Sequence, residues 1–189
     1  MPRAGLTRER LIAAACALAD MEGFAALTLA ALARQFEVRL ASLYSHVRNG
    51  DDLKTGVALS ALSLLADRAD EAVAGRAGKD AITALADVHR RFAAEHPGLF
   101  EATRFPLTAD VVPGSGGARL SRAMRAALRG YDLSKADEVH AVRLLGSFFL
   151  GFSLLERSGG FSHSQPGPDD TWTHGLDALD ALISTWTKK

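Results

Sequence analysis

The sequence predicts an all-α fold, and three observations predict it. Alanine and leucine, both strong helix formers, dominate the apolar residues. Runs of β-branched residues and hairpin dipeptides are scarce. A helix-start signal, in which a turn or capping residue stands between two apolar residues, recurs three times within the first forty or so positions. The expected organisation is an N-terminal head of three short helices in a helix-turn-helix layout, residues 1–50. It is joined to a larger helical body, residues 51–189.

The head is punctuated by its caps. Thr7 caps a first helix to about Met21, with Leu6 facing Leu11 and an apolar face of Leu11, Ile12, Ala15, Leu18 and Ala19. Gly23 ends it. Thr28 caps a second helix over Leu29–Gln35, with Leu27 facing Leu32. Its Ala30, Ala31 and Ala33 are small enough for another helix to come close. A third helix is expected over Leu40–His46, with Val38 facing Leu43.

In the body, Asn49 caps a long helix from Asp51 to about Ala74, with Asp51 and Asp52 favourably placed in its first turn and Leu53, Val57, Leu59, Leu62 and Leu65 on its apolar side. Residues 75–78 break it. The next helix runs from Lys79 to Glu95, carries Ile82, Leu85, Val88 and Phe92 on one face, and stops at His96-Pro97-Gly98. A short helix over Leu99–Phe105 and a Pro/Gly-rich loop over 106–117 follow. Helices are then expected over Ala118–Arg129, over Ser134 (cap) to Arg157, and over Asp170–Trp186, with a loop over 159–168.

Composition excludes little. The 22 basic and 22 acidic residues balance, and residues 1–54 hold 7 Lys+Arg against 6 Asp+Glu, so any attraction for a polyanion must come from arrangement. No secretory leader precedes the first helix, and the single Cys16 has no partner for an internal disulfide; a reducing cytoplasm is the expected location. Cys16 itself reads as a small buried hydrophobe.

Two short helices joined by a tight turn, with polar and aromatic groups on the second, are how a protein offers a helix to the major groove of double-stranded DNA. In the first turn of that second helix, Arg39 can donate two hydrogen bonds to a guanine and Ser42 can bond several bases. Leu40 and Ala41 can touch a thymine methyl. Arg3, Arg8 and Arg10 are placed to reach the backbone or the minor groove.

The segment Leu29–Lys54, through Leu43-Tyr44-Ser45-His46-Val47, Arg48-Asn49 and Asp52-Leu53, resembles the N-terminal domain of TetR-family transcriptional regulators. The resemblance implies a DNA-binding head on a helical body that dimerises and binds a ligand. Members are mostly repressors that leave DNA when a small molecule enters the body. Thr28, Tyr44 and His46 stand at the family's phosphate-contacting positions, which set register rather than sequence preference. Two positions depart from the pattern. Glu37 stands where the turn usually has Gly, and Gly50 where a phosphate-binding Lys is usual; Arg39 and Arg48 are candidates to replace that charge.

The segment Arg143–Phe161 also resembles, in part, the C-terminal subfamily of these regulators named for a Trp-His-Gly signature. Gly146 stands in place of the Trp and Leu150-Gly151 in place of His-Gly, whereas Glu156 and Gly159-Gly160-Phe161 match. It implies a four-helix homodimer interface, with Leu144, Ser147, Gly151, Leu155, Leu179, Leu182 and Trp186 as candidates. A homodimer is also what twofold reading of a palindromic operator requires. Phe92, Phe100, Phe105, Met124, Leu128, Phe148, Phe149 and Phe152 are candidates to line an effector pocket, or else simply fill the core; no charged cluster among them points to a charged effector, so an apolar small molecule is expected.

Other functions find less support. There is no GxSxG, HExxH or P-loop pattern, so no catalytic residue and no cofactor is expected. His163 and His174 flank Asp169 and Asp170 without a characteristic metal-site spacing, and no metal is expected. Val139–Leu155 is long enough to span a membrane, but Arg143 interrupts it and no second such segment follows; a helix buried between core and partner subunit is expected instead. The alternative function is a helical adaptor that has lost operator binding, motivated by Glu37, Gly50 and the near-neutral head.

Overall fold

A computed structural model describes residues 6–186 of the chain. Among them there is no strand. The α-helices are α1 (Arg8–Glu22), α2 (Leu29–Gln35), α3 (Gly50–Val73), α4 (Gly78–Glu95), α5 (Pro97–Ala102), α6 (Gly116–Leu128), α7 (Lys135–Arg157) and α8 (Pro168–Ser184), with short 3₁₀ turns between several of them. Packing divides the chain into two compact units. One holds the residues up to Leu64 together with His96–Ser115, and the other holds Leu65–Glu95 together with the residues from Gly116 onward. The continuous helix α3 contributes to both.

In the first unit the capping reading is seen atom by atom. The Thr7 hydroxyl accepts from the amide of Arg10 and the Thr28 hydroxyl from the amide of Ala31. Asn49 Oδ1 accepts from Asp52 at 2.8 Å and starts α3. Leu11, Ala15 and Ala19 of α1, Leu32 of α2, and Leu53, Val57 and Ala58 of α3 are fully buried. Each leucine so removed from water contributes roughly 1.5–3 kcal/mol. His96-Pro97-Gly98 does end α4, but Pro97 at once opens α5, since proline suits a first helical position. Helix α5 lies directly on α1. A Cβ at Gly98 would stand 1.9 Å from the carbonyl oxygen of Ala19, so only glycine fits there. The Asp20 carboxylate holds the same junction, accepting from the Leu99 amide and bonding His96 Nδ1, both at 2.8 Å.

The second unit packs α4 against α6, α7 and α8, around fully buried Ile82, Leu85, Phe92, Leu128, Leu145, Phe149 and Ile183. The Ser134 hydroxyl caps α7 by accepting from the amide of Asp137. Arg90 of α4 ties the unit together. It donates to Glu156 of α7 and to Asp169 of α8, and its guanidinium lies 5.5 Å from the Phe152 ring and 5.3 Å from Trp172. Trp172 Nε1 donates to Asp87 at 2.8 Å, and Tyr131 donates its hydroxyl to Asp180.

Three sequence expectations need correction. The third helix of the head is a 3₁₀ helix, Leu40–Ser45, rather than an α-helix to His46. Its bonds run from Ser42 to Arg39 and from His46 to Leu43. The Ser45 hydroxyl bonds the Ser42 carbonyl at 2.8 Å and competes with the backbone for it. The expected loop over 106–117 contains a 3₁₀ turn at Val112–Gly114 and the first residues of α6. Helix α8 begins two residues early, with Pro168 in its first turn, and ends at Ser184.

Candidate nucleic-acid interface

Everything that positions the expected reading surface lies in the first unit. Helix α2 ends in a reversal in which the Glu37 amide donates to the Arg34 carbonyl and the Val38 amide to the Ala33 carbonyl, at 3.1 and 3.0 Å. This is a Schellman motif. It requires a left-handed residue, and Glu37 supplies it at φ 54°. The same motif closes α7, where Gly159 (φ 76°) donates to Glu156 and Gly160 to Leu155. The chain thus places glutamate where it elsewhere uses glycine, at a cost of roughly 1–2 kcal/mol in backbone strain.

The reversal delivers the 3₁₀ helix Leu40–Ser45 with two distinct faces. Leu43 is fully buried and Val47 nearly so. Arg39, Leu40, Ala41, Ser42 and Tyr44 are exposed; Leu40 is 42% and Tyr44 53% accessible, high values for apolar bodies. The arrangement holds the segment by two apolar anchors and turns one cation, one hydroxyl, two small apolar groups and one phenol outward. Thr28 is exposed beside its cap, and His46 is half-buried. Arg48 is almost wholly exposed, with only a 3.4 Å contact from its guanidinium to Asp52.

Asp52 organises this corner. Its carboxylate accepts from both terminal nitrogens of Arg8 at 2.9 and 3.1 Å and from the amide of Arg48 at 2.9 Å. The Arg8 hydrogen bonds, with the Arg48 amide, hold its carboxyl well below the usual carboxylate range. Arg8 also donates to the carbonyl of His46 at 2.9 Å. Arg8 is thus paired within the protein, with its side chain 41% accessible. Arg10 is exposed at the same end of α1, and Arg3 lies outside the described residues. The sequence offered a signal for Asp52, an acid three residues after an asparagine cap, but that signal indicates only a helix start.

The other candidate groups are more dispersed. Phe100 and Phe105 belong to the first unit, where Phe105 meets Phe24 edge-on. Phe92, Met124, Leu128, Phe148, Phe149 and Phe152 belong to the second. There Phe148, Phe149 and Phe152 close around Trp172, with ring centroids 4.8–6.2 Å from it. A cleft of about 390 Å³ in that unit has other walls, namely Arg68, Glu71, Ala72, Val88, Arg91 and Glu95. On α7, Leu144 and Gly151 are half-exposed, and Ser147 and Leu155 are exposed. On α8, Leu182 is exposed, Trp186 just past its end is half-exposed, and Leu179 is buried within its own chain. Among the described residues no three His, Cys, Asp or Glu side chains gather where they could hold a metal ion.

Comparison with known proteins gives the frame for this geometry. Residues 82–179 match the family model described as Tetracyclin repressor-like, C-terminal domain. The chain is 34% identical over 158 residues to an HTH-type transcriptional regulator of Mycobacterium tuberculosis, covering 82% of this chain and 72% of that one. It is 30% identical over 167 residues to the HTH-type transcriptional regulator YobS of Bacillus subtilis, covering 87% and 86%. Its fold is shared with the Streptomyces coelicolor TetR family protein ActR, solved in complex with actinorhodin, at a TM-score of 0.70, 19% identity and coverage of 98% and 100%. These relatives are transcriptional regulators, not enzymes. The exposed 3₁₀ helix follows a capped α2, and residues 82–179 match the family's C-terminal domain: this protein belongs to the TetR family of DNA-binding transcriptional regulators.

Proposed function

We propose that this regulator is a cytoplasmic, homodimeric repressor that binds a palindromic operator and is released by a small apolar effector. Residues 1–50 serve as the DNA-binding domain and residues 51–189 as the ligand-binding and dimerisation domain. The observation that carries the reading is the two-faced 3₁₀ helix, anchored by Leu43 and Val47 and presenting Arg39, Leu40, Ala41, Ser42 and Tyr44 to solvent. Arg39, Leu40, Ala41 and Ser42 meet base edges; Thr28, Tyr44, His46 and Arg48 meet phosphates.

Dimerisation is supported by α7. Its 23 residues are apolar enough to cross a bilayer, yet only 28% of its most apolar window is buried within the chain. The helix packs on α4, α6 and α8. Nothing lies within 4 Å of the space a Cβ would fill at Gly146 or Gly151, so another helix can approach there. A second copy using Leu144, Ser147, Gly151, Leu155, Leu182 and Trp186 covers this surface, with Leu179 supporting it from beneath. No membrane is required.

The effector reading is supported by the relative ActR, whose complex holds actinorhodin. In this chain the aromatic residues of the second unit are closed on one another, and Phe92 and Phe149 are fully buried. An apolar effector therefore enters by displacing part of that cluster. It acts only through its differential affinity for the released and DNA-bound states. Selection of bound duplexes from a random pool tests the proposal. A palindromic consensus with half-sites about one turn apart, 10–10.5 bp, supports it; a consensus without twofold symmetry, or no enrichment at all, contradicts it.

A further inference from the structure

The two walls of the cleft between α3 and α4 carry opposite charges that do not meet. Arg68, Glu71 and Ala72 line it from α3, and Val88, Arg91 and Glu95 from α4, around a volume of about 390 Å³. Small-molecule sites span roughly 300–1,000 Å³. Arg68 and Glu95 bridge the two helices at 2.6 Å, and the Arg68 guanidinium lies 5.4 Å from the centroid of the Phe92 ring. Arg91 and Glu71 are arranged differently. Arg91 uses only its Nε, which donates to the Asp87 carbonyl of its own helix at 3.3 Å. Among the described residues no carboxylate pairs with its terminal nitrogens, and no cation pairs with Glu71. Both side chains are exposed.

A free cation on one wall and a free anion on the other match a guest that carries both complements. A carboxylate accepts two parallel N–H bonds from an arginine fork, and an ammonium offers three donors to a free carboxylate. Ala72 and Val88 form the apolar part of the lining, suited to a short methylene stem between the two charges. We propose that this cleft is a binding site for a small zwitterion, with its carboxylate on Arg91 and its ammonium on Glu71. No aromatic side chain is among the lining residues, so the site is separate from the cluster around Trp172 and from the apolar effector proposed above. A seated zwitterion ties α3 to α4 by a second bridge beside Arg68 and Glu95.

The test is calorimetric titration of the full chain with the ω-amino acids aminobutanoate, aminohexanoate and aminooctanoate. Each is compared with the alkanoate and the alkylammonium of the same length, which lack one charge. At least one amino acid is expected to bind with a Kd of about 1 mM, and its singly charged counterparts about tenfold more weakly, the loss of one charge-assisted bond. Glu71→Gln should bring the amino acid down to the affinity of the alkanoate, and Arg91→Gln down to that of the alkylammonium, with thermal melts confirming that both variants fold. Absence of saturable binding by all three amino acids up to about 10 mM overturns the site. So does equal affinity for a singly charged counterpart, or a loss in only one of the two variants or in neither.

Discussion

The Arg8 guanidinium grips the Asp52 carboxylate through both terminal nitrogens, at 2.9 and 3.1 Å, and reaches the His46 carbonyl with one of them. The start of α1, the end of the 3₁₀ helix and the first turn of α3 thus meet at one carboxylate, although 44 residues separate the two partners in sequence. Asp52 is 10% accessible, so the pair is less screened than a surface salt bridge. These bonds tie the end of the 3₁₀ helix to α1 and α3.

Asp52→Asn should therefore lower unfolding stability by about 1–3 kcal/mol at neutral pH, the usual worth of a hydrogen bond to a charged group. The sign with pH follows from the lowered carboxyl pKa. The folded state binds that proton less readily than the unfolded state. The contribution is fully present above about pH 4, the ordinary carboxylate value, and declines as the pH falls toward the depressed one. Urea unfolding of wild type and variant across this range should show their difference shrinking with acid. A difference independent of pH would mean that Asp52 acts without its charge.

Glu37→Gly should stabilise the head. It removes the strain of a left-handed glutamate, and the flexibility that glycine adds to the unfolded chain offsets only part of the gain. The expected increase is about 0.5–1 kcal/mol, read as a higher urea midpoint at unchanged slope. Glu37→Val, branched at Cβ, should move the midpoint the other way.

Gly98→Ala should destabilise the α1–α5 junction by about 1–3 kcal/mol, because the new methyl meets the Ala19 backbone carbonyl rather than a side chain able to turn away. Gly146→Ala and Gly151→Ala, with open space at the same test inside α7, should raise a single chain's stability by about 0.5–1 kcal/mol while weakening association, measured by sedimentation.

His89 reports on the second unit. Its ring lies 5.5 Å from Phe149 and its Nδ1 donates to the Leu85 carbonyl. Burial, outweighing that hydrogen bond, lowers its pKa. The unfolded chain then takes up the proton first, so stability is full above about pH 6.5 and falls as the pH drops below it. His89→Gln should remove that part of the pH dependence. A stability profile of the same shape in both proteins would show that His89 does not titrate in this range.

Caps and apolar spacing made most helices legible in the sequence. Thr7, Thr28, Asn49 and Ser134 each accept the amide bond that their position implies. What escaped depends on partners distant in sequence. Nothing local distinguishes Arg8, which turns inward to Asp52, from Arg48, which stays in solvent. The 3₁₀ winding of Leu40–Ser45 reflects a serine hydroxyl competing for a carbonyl, an effect that leaves the apolar period unchanged. The closed cluster of Phe148, Phe149 and Phe152 depends on Trp172, contributed from another helix.

The most direct test places a DNA-cleaving chelate on the exposed face of the 3₁₀ helix. Cys16 is half-buried, with its thiol pushed up to about 11 by burial, so Ser42→Cys provides the more readily labelled thiol. With an iron chelate at that position, the selected operator should be cut at two places related by its dyad and about one helical turn apart. Cuts at one place only, or cleavage no stronger than from a chelate at Thr173→Cys on α8, would contradict the claim that this helix lies in the groove.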